Sequence, residues 1–184
     1  MRATVLLLLL LVGIVGGPAV RADQTDARLG PLFERLKAAA DAAAARPVEL
    51  EIWRIWGEVD DPDSRSLLAR GTAAMNAGDA RTARAAFDLL VAREPGFAEG
   101  WNKRATLLYL VGDDPGSIAD IRRVLALEPR HFGALSGLGL IYTRQDRPED
   151  ALRSFEAALA IHPFLSGARA NVEALRERIR GEPT

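Results

Sequence analysis

The chain contains no cysteine, which excludes a disulfide framework, thiolate metal sites, a cysteine nucleophile and a lipidated N-terminal cysteine. Histidine is nearly as scarce, with two among 184 residues. His131 and His162 each stand beside a proline that closes a helical run. In that setting they read as solvated turn residues without convergent partners, whereas a metal or catalytic site needs several ligating groups pointing at one place. Lys and Arg number 24 against 25 Asp and Glu. That balance leaves no basic excess to hold a phosphate backbone, so no nucleic acid is expected as a partner. No glycine-rich phosphate loop follows a strand pattern, and there is no nucleophile elbow. These absences point to a protein that is not an enzyme and carries no cofactor.

Long apolar runs are confined to the N-terminus. Met1-Arg2-Ala3-Thr4 gives a short positive start, Val5 to Val15 is almost entirely Leu and Val, and Gly16-Gly17-Pro18 breaks the run before Ala19-Val20-Arg21-Ala22. This is the three-part pattern of a secretory signal peptide and predicts cleavage after Ala22. An uncleaved membrane anchor is the alternative, because Ala3 to Val20 is near the lower length for a span. Removing residues 1–22 takes away Arg2 and Arg21 and moves the net charge from -1 to -3. The expected location is therefore periplasmic or secreted, with a partner protein of the envelope or secretory pathway. A membrane association is expected only if the N-terminal segment is retained.

What the sequence does have is a period. Pro95, Pro129 and Pro163 lie 34 residues apart, each closing an apolar helical run. A fixed spacing of that length marks a stacked repeat, each unit two helices around a turn. Ser64 to Phe97, Ala98 to His131 and Phe132 to Leu165 are the three clear copies. The second helix of each has a start signal: Asp79 after Gly78, Asp114 before Pro115, and Asp146 shortly before Pro148. Before them, Leu32, Phe33 and Leu36 share a face, and the Ala-rich stretch from Ala38 can continue that helix. Pro47 suits the first turn of a second helix presenting Leu50, Trp53 and Trp56. Residues 23–63 are therefore an N-terminal helical pair, and since counting back 34 from Ser64 gives Gly30, Gly30 to Asp63 can be read as a degenerate first repeat. After the last copy, Ala168, Val172, Leu175 and Ile179 form one apolar stripe, opposite Arg169, Glu173 and Arg176. Residues 166–184 thus provide a capping helix and tail for the open end of the stack.

The third copy, with Leu135, Leu138-Gly139, Tyr142, Ala151, Phe155, Ala158 and Pro163, resembles the tetratricopeptide repeat (TPR). The first keeps Gly71, Gly78, Ala83, Phe87 and Pro95. The second keeps Trp101, Gly112 and Pro129, with Ala105, Ser117 and Ile121 at the other marked positions. The resemblance implies an all-α, right-handed helical-repeat solenoid of three TPRs, preceded by the N-terminal pair and followed by the cap. It also implies a concave groove lined by the first helix of each repeat. Carried over by position, the groove is Met75, Asn76, Asn102, Lys103, Thr106, Tyr109, Ser136, Gly137, Leu140 and Arg144. Some proteins of this kind clamp a peptide's terminal carboxylate with Lys, Asn and Arg from successive repeats. Here Asn102 and Lys103 stand in one repeat, with Leu68, Thr72 and Gly133 at other clamp positions. The expected function is a non-catalytic protein-protein interaction module binding a peptide or helix; the alternative is a chaperone or assembly factor for exported proteins. Gly137 is the glycine expected to serve a ligand or to let the capping helix approach, because a mid-helix Gly costs about 1 kcal/mol relative to Ala.

Overall fold

In the computed structural model, residues 24–181 are described; the signal-peptide reading of residues 1–22 falls outside them. Among the described residues all regular structure is helical. The helices are α1 (Leu29–Lys37), α2 (Ala42–Trp56), α3 (Pro62–Asn76), α4 (Ala80–Arg93), α5 (Ala98–Leu110), α6 (Asp114–Leu127), α7 (Phe132–Arg144), α8 (Pro148–Ile161) and α9 (Ser166–Gly181). The pairs α3/α4, α5/α6 and α7/α8 are the three repeats, and each second helix packs on the first helix of the next unit. This is the expected helical-repeat solenoid.

The repeat signature has a direct packing cause. A Cβ on Gly71 would stand 2.4 Å from the Phe87 ring, and one on Gly139 would stand 2.8 Å from the Phe155 ring. The glycine lets the phenylalanine enter between the two helices of its own repeat. In the middle repeat Ala105 and Ile121 share one apolar cluster, a larger residue opposite a smaller one. The turns repeat as well: Gly78, Gly112 and Asp146 all take positive φ, at 76°, 83° and 57°. Asp tolerates this left-handed conformation better than most side chains, so Asp146 is a turn residue and not the start signal expected of it. The α8 N-cap is Arg147, without a side-chain bond. The start of α6 also shifts by one residue. Asp113 accepts from the Gly116 N–H, and Asp114 lies inside the helix.

Arg104 ties the middle of the stack together. It forms two parallel bonds to Asp120 on α6, at 2.7 and 2.8 Å, and a third to Asp88 on α4 at 2.8 Å. The bidentate, mostly buried geometry makes this pair more than a surface ion pair. At the open end, Ala168, Val172 and Leu175 of α9 are buried against α8, while Arg169, Glu173 and Arg176 remain exposed. That is the arrangement expected of a cap.

The N-terminal pair departs from expectation. The helix breaks between Lys37 and Ala42, where Asp41 caps the Ala44 N–H, so Pro47 lies in the second turn of α2 and not its first. Leu50 is 53% exposed; the buried face is Ala45, Val48, Ile52, Ile55 and Trp56. Nor does the pair stack in front of α3 as a degenerate repeat. Its apolar face joins Phe132, Leu135, Ala158, Ile161, Phe164 and Leu165, all around the third repeat and its far boundary. Gln24 donates to the Gly96 carbonyl at 2.6 Å and accepts from the Ala98 N–H at 3.1 Å. The Arg130 guanidinium lies over the Phe33 ring at 4.2 Å, and Ala42 and Glu49 border His162. The pair and the residues leading into it are thus a strap laid along one edge of the solenoid, touching the two inter-repeat turns and the turn between the last repeat and the cap.

Trp56 is the strap's main anchor, 1% exposed and stacked on His131 with ring centroids 4.1 Å apart. Trp56→Ala should lower unfolding free energy by about 3–5 kcal/mol, the usual cost of removing a fully buried aromatic. Trp56→Phe keeps a ring in the stack and removes a buried Nε1–H that has no partner, so it should cost less. Urea titration of the three proteins checks both.

Candidate functional site

The groove lies between α5 and α7. Asn102, Thr106 and Tyr109 from α5 face Ser136, Gly137 and Leu140 from α7 around a cavity of about 180 Å³. Ala105, Ser117, Ile121, Gly133 and Ala134 complete its wall. Six of the expected groove residues therefore come together. Met75 instead packs into the first repeat's cluster, and Asn76 is exposed at the end of α3. Arg144 closes one side, its guanidinium 4.0 Å above the Tyr109 ring, with Nη1 donating to the Tyr109 carbonyl at 3.0 Å and Nη2 paired with Asp114.

Behind this wall is a polar network centred on Glu99, which is only 3% exposed. One carboxylate oxygen accepts from Asn102 Nδ2 at 2.9 Å and lies 3.2 Å from His131 Nε2; the other meets Lys103 Nζ at 3.1 Å. Burial acts to raise the Glu99 pKa, but the His131 hydrogen bond and the Lys103 charge outweigh it and hold the carboxyl below its ordinary value. His131 Nδ1 accepts from the Ala134 N–H at 3.1 Å and so caps α7. That bond leaves Nε2 to carry the proton toward Glu99.

Both histidines are therefore buried, His131 at 0% and His162 at 1% exposed, against the expectation of solvated turn residues. The strap is what covers them. His162 Nδ1 accepts from the Phe164 N–H at 3.3 Å, while Nε2 stands 3.5 Å from Glu49 without a hydrogen bond. Burial lowers its pKa, opposed by the Glu49 carboxylate.

The network also settles what Asn102 and Lys103 do in this chain: both are engaged with Glu99 and do not stand free in the groove. The sequence pattern placed Trp53 on a helix face and Gly133 at a clamp position, but not against each other, and it gave no sign that Glu99 is the centre of a buried network. Trp53 Cη2 would be 2.5 Å from a Cβ on Gly133, so that glycine admits the strap's indole. No sequence signal identifies the pairing, because it joins residues 80 positions apart across different elements. At Gly137 a Cβ would meet only Ile121 Cδ1, at 3.6 Å, and nothing from α9. Approach of the capping helix is therefore not the reason for that glycine.

Stacked helix pairs around a shallow lined groove define an α-solenoid of the protein-binding class. The tetratricopeptide-repeat profile matches residues 68–126 and 111–166, and the chain belongs to that family. A TPR repeat-containing protein of Rhizobium etli is 34% identical over 157 residues, covering 85% of this chain and 77% of its own length. Tetratricopeptide repeat protein 36 of Bos taurus is 36% identical over 106 residues, 55% of this chain and 56% of that one. Among solved structures, the first TPR of Spaghetti bound to an HSP90 peptide matches with a TM-score of 0.63 at 17% identity, covering 67% of this chain and 98% of that one. MamA matches with a TM-score of 0.60 at 19% identity, covering 80% and 84%. These structural likenesses show the shared fold. TPR domains mediate protein-protein interaction.

His162 gives a pH dependence of known sign. Its folded pKa lies below the ordinary 6.5, so the unfolded chain binds the additional proton. The stability it contributes is whole above that value and is lost as pH falls toward and through the folded one. Urea midpoints measured from about pH 7.5 down to about pH 5.5 should fall for the wild type. His162→Gln should show a shallower fall over the same range; an equal fall would mean that another group titrates.

Proposed function

We propose that this protein is a non-catalytic adaptor of the cell envelope that holds a peptide or helix of a partner protein in the groove between α5 and α7. The observation that carries the reading is the groove itself: an open, mostly apolar cavity on the inner helices whose neighbouring charges are already paired within the chain. An apolar recess with a few polar groups suits a docked segment held partly by side-chain burial and partly by backbone hydrogen bonds. The two histidines serve as buried turn elements, which leaves the groove without an evident acid, base or nucleophile. The envelope location is supported by the signal-like residues 1–22 of the sequence. The same pairing of Asn102 and Lys103 with Glu99 argues against an acidic C-terminal tail as the occupant, because the cations that would receive its carboxylate are committed.

Replacing Tyr109 with a photoreactive phenylalanine in the full chain, expressed in its own cells and irradiated, tests the reading. One or a few discrete adducts to envelope proteins are expected, absent when the same residue replaces the 56%-exposed Leu89 on α4. Adducts to many unrelated chains would favour the chaperone, and none above the Leu89 control would remove the groove as a binding site.

A further inference from the structure

Helix α7 carries two glycines on one face, Gly133 and Gly137, one turn apart. At Gly133 the space that a Cβ would take is filled by the Trp53 indole of the strap, which docks α2 there. At Gly137 the only atom within contact range of a Cβ is Ile121 Cδ1. The neighbouring space is the 180 Å³ cavity, which Gly133 also borders. The strap thus fills one of two adjoining positions on α7 and leaves the other open.

The size and chemistry of the open position are specific. An apolar cavity of about 150 Å³ accepts benzene, so this one has room for a single aromatic ring and little more. Its walls are mainly Ala105, Ile121, Ala134, Leu140 and the ring of Tyr109. The Thr106 and Ser117 hydroxyls are engaged with the Asn102 and Ala105 carbonyls, both on α5. Ser136 Oγ differs: it is buried and has no hydrogen-bond partner. A hydroxyl left in that state costs free energy that an incoming polar atom recovers. No charged group in or beside the cavity is left uncompensated, since Lys103 pairs with Glu99 and Arg144 with Asp114.

We infer that the cavity seats one aromatic side chain with a hydrogen-bonding tip, a tyrosine, from a partner segment that extends the α2–α7 interface by one helical turn. Rotation of Ser136 about its Cα–Cβ bond brings Oγ, which is inaccessible to water in the empty cavity, to the phenol, and the ring lies over Gly137. This rests on the groove being the binding face and adds the chemistry of what enters it.

Titration of the full chain with p-cresol and with toluene, followed by the amide resonances of Ser136 and Gly137, tests the assignment. Both rings should give saturable shifts, with p-cresol binding roughly threefold to tenfold more tightly, the range of one net hydrogen bond. Ser136→Ala should erase that difference, and Gly137→Leu should abolish both. If Gly137→Leu does not fold, Gly137→Ala serves, because its Cβ fits at 3.6 Å from Ile121 and should weaken both rings. Absence of saturable shifts, equal affinity for the two rings, binding that survives the filled cavity, or acetate moving the same amides instead would each overturn the inference. Discrete crosslinks at Tyr109 without ring binding would remove this seat and leave the adaptor; ring binding without crosslinks would do the reverse.

Discussion

The indole of Trp56 lying flat on His131, with Glu99 on the other side of the imidazole's hydrogen bond, is the contact on which the rest of the molecule depends. Three elements meet there: the strap through Trp56, α5 through Glu99 and α7 through its cap. Because His131 Nδ1 accepts from the Ala134 N–H, the ring turns Nε2 toward the carboxylate. Glu99 in turn fixes Asn102 and Lys103 on the groove wall. A buried carboxylate is costly unless its oxygens are satisfied, and this one has partners on both. Remove the strap and the imidazole is opened to water, the pairing weakens, and the groove loses the groups that shape its floor.

The edge position of the strap explains why three short repeats need it. A solenoid repeat contacts only its neighbours, so nothing inside the stack spans more than one boundary. Gln24 at the first boundary, Phe33, Trp53 and Trp56 at the second, and Ala42 and Glu49 at the third supply that longer connection. In a chain without disulfides, apolar burial by a helical hairpin is the means available for fastening one repeat to the next but one.

The repeat core was legible in the sequence because its causes are local: a glycine opposite a phenylalanine sixteen positions on, prolines at a fixed period, and a polar cap at the end. Six of the residues that the family resemblance assigns to the groove share the cavity between α5 and α7. The strap was not legible. Its amphipathic pattern is that of any surface helix, and the count of 34 back from Ser64 places Gly30 by coincidence of length, since nothing in Gly30 to Asp63 repeats the glycine–phenylalanine pair. With the strap misplaced, the histidines it buries looked solvated, and Gly133 stood as a clamp position of the groove when it makes room for Trp53. The shifts at Asp113 and Asp146 are smaller. At α6 the left-handed residue is Gly112 and the cap falls on Asp113, one position later; at α8 Asp146 itself takes the left-handed turn position that Gly78 and Gly112 hold in the other repeats, and the cap falls on Arg147.

Buried contacts at every turn it crosses make the strap and the repeats one cooperative structure. The most direct measurement is urea unfolding of the Trp101→Phe chain, in which Trp53 and Trp56 of the strap are the remaining tryptophans, followed at once by fluorescence and by far-ultraviolet circular dichroism. Coincident transitions are expected of a single cooperative unit. A fluorescence transition at lower urea, with most of the helical signal still present, would mean that the strap is an appendage and would contradict it.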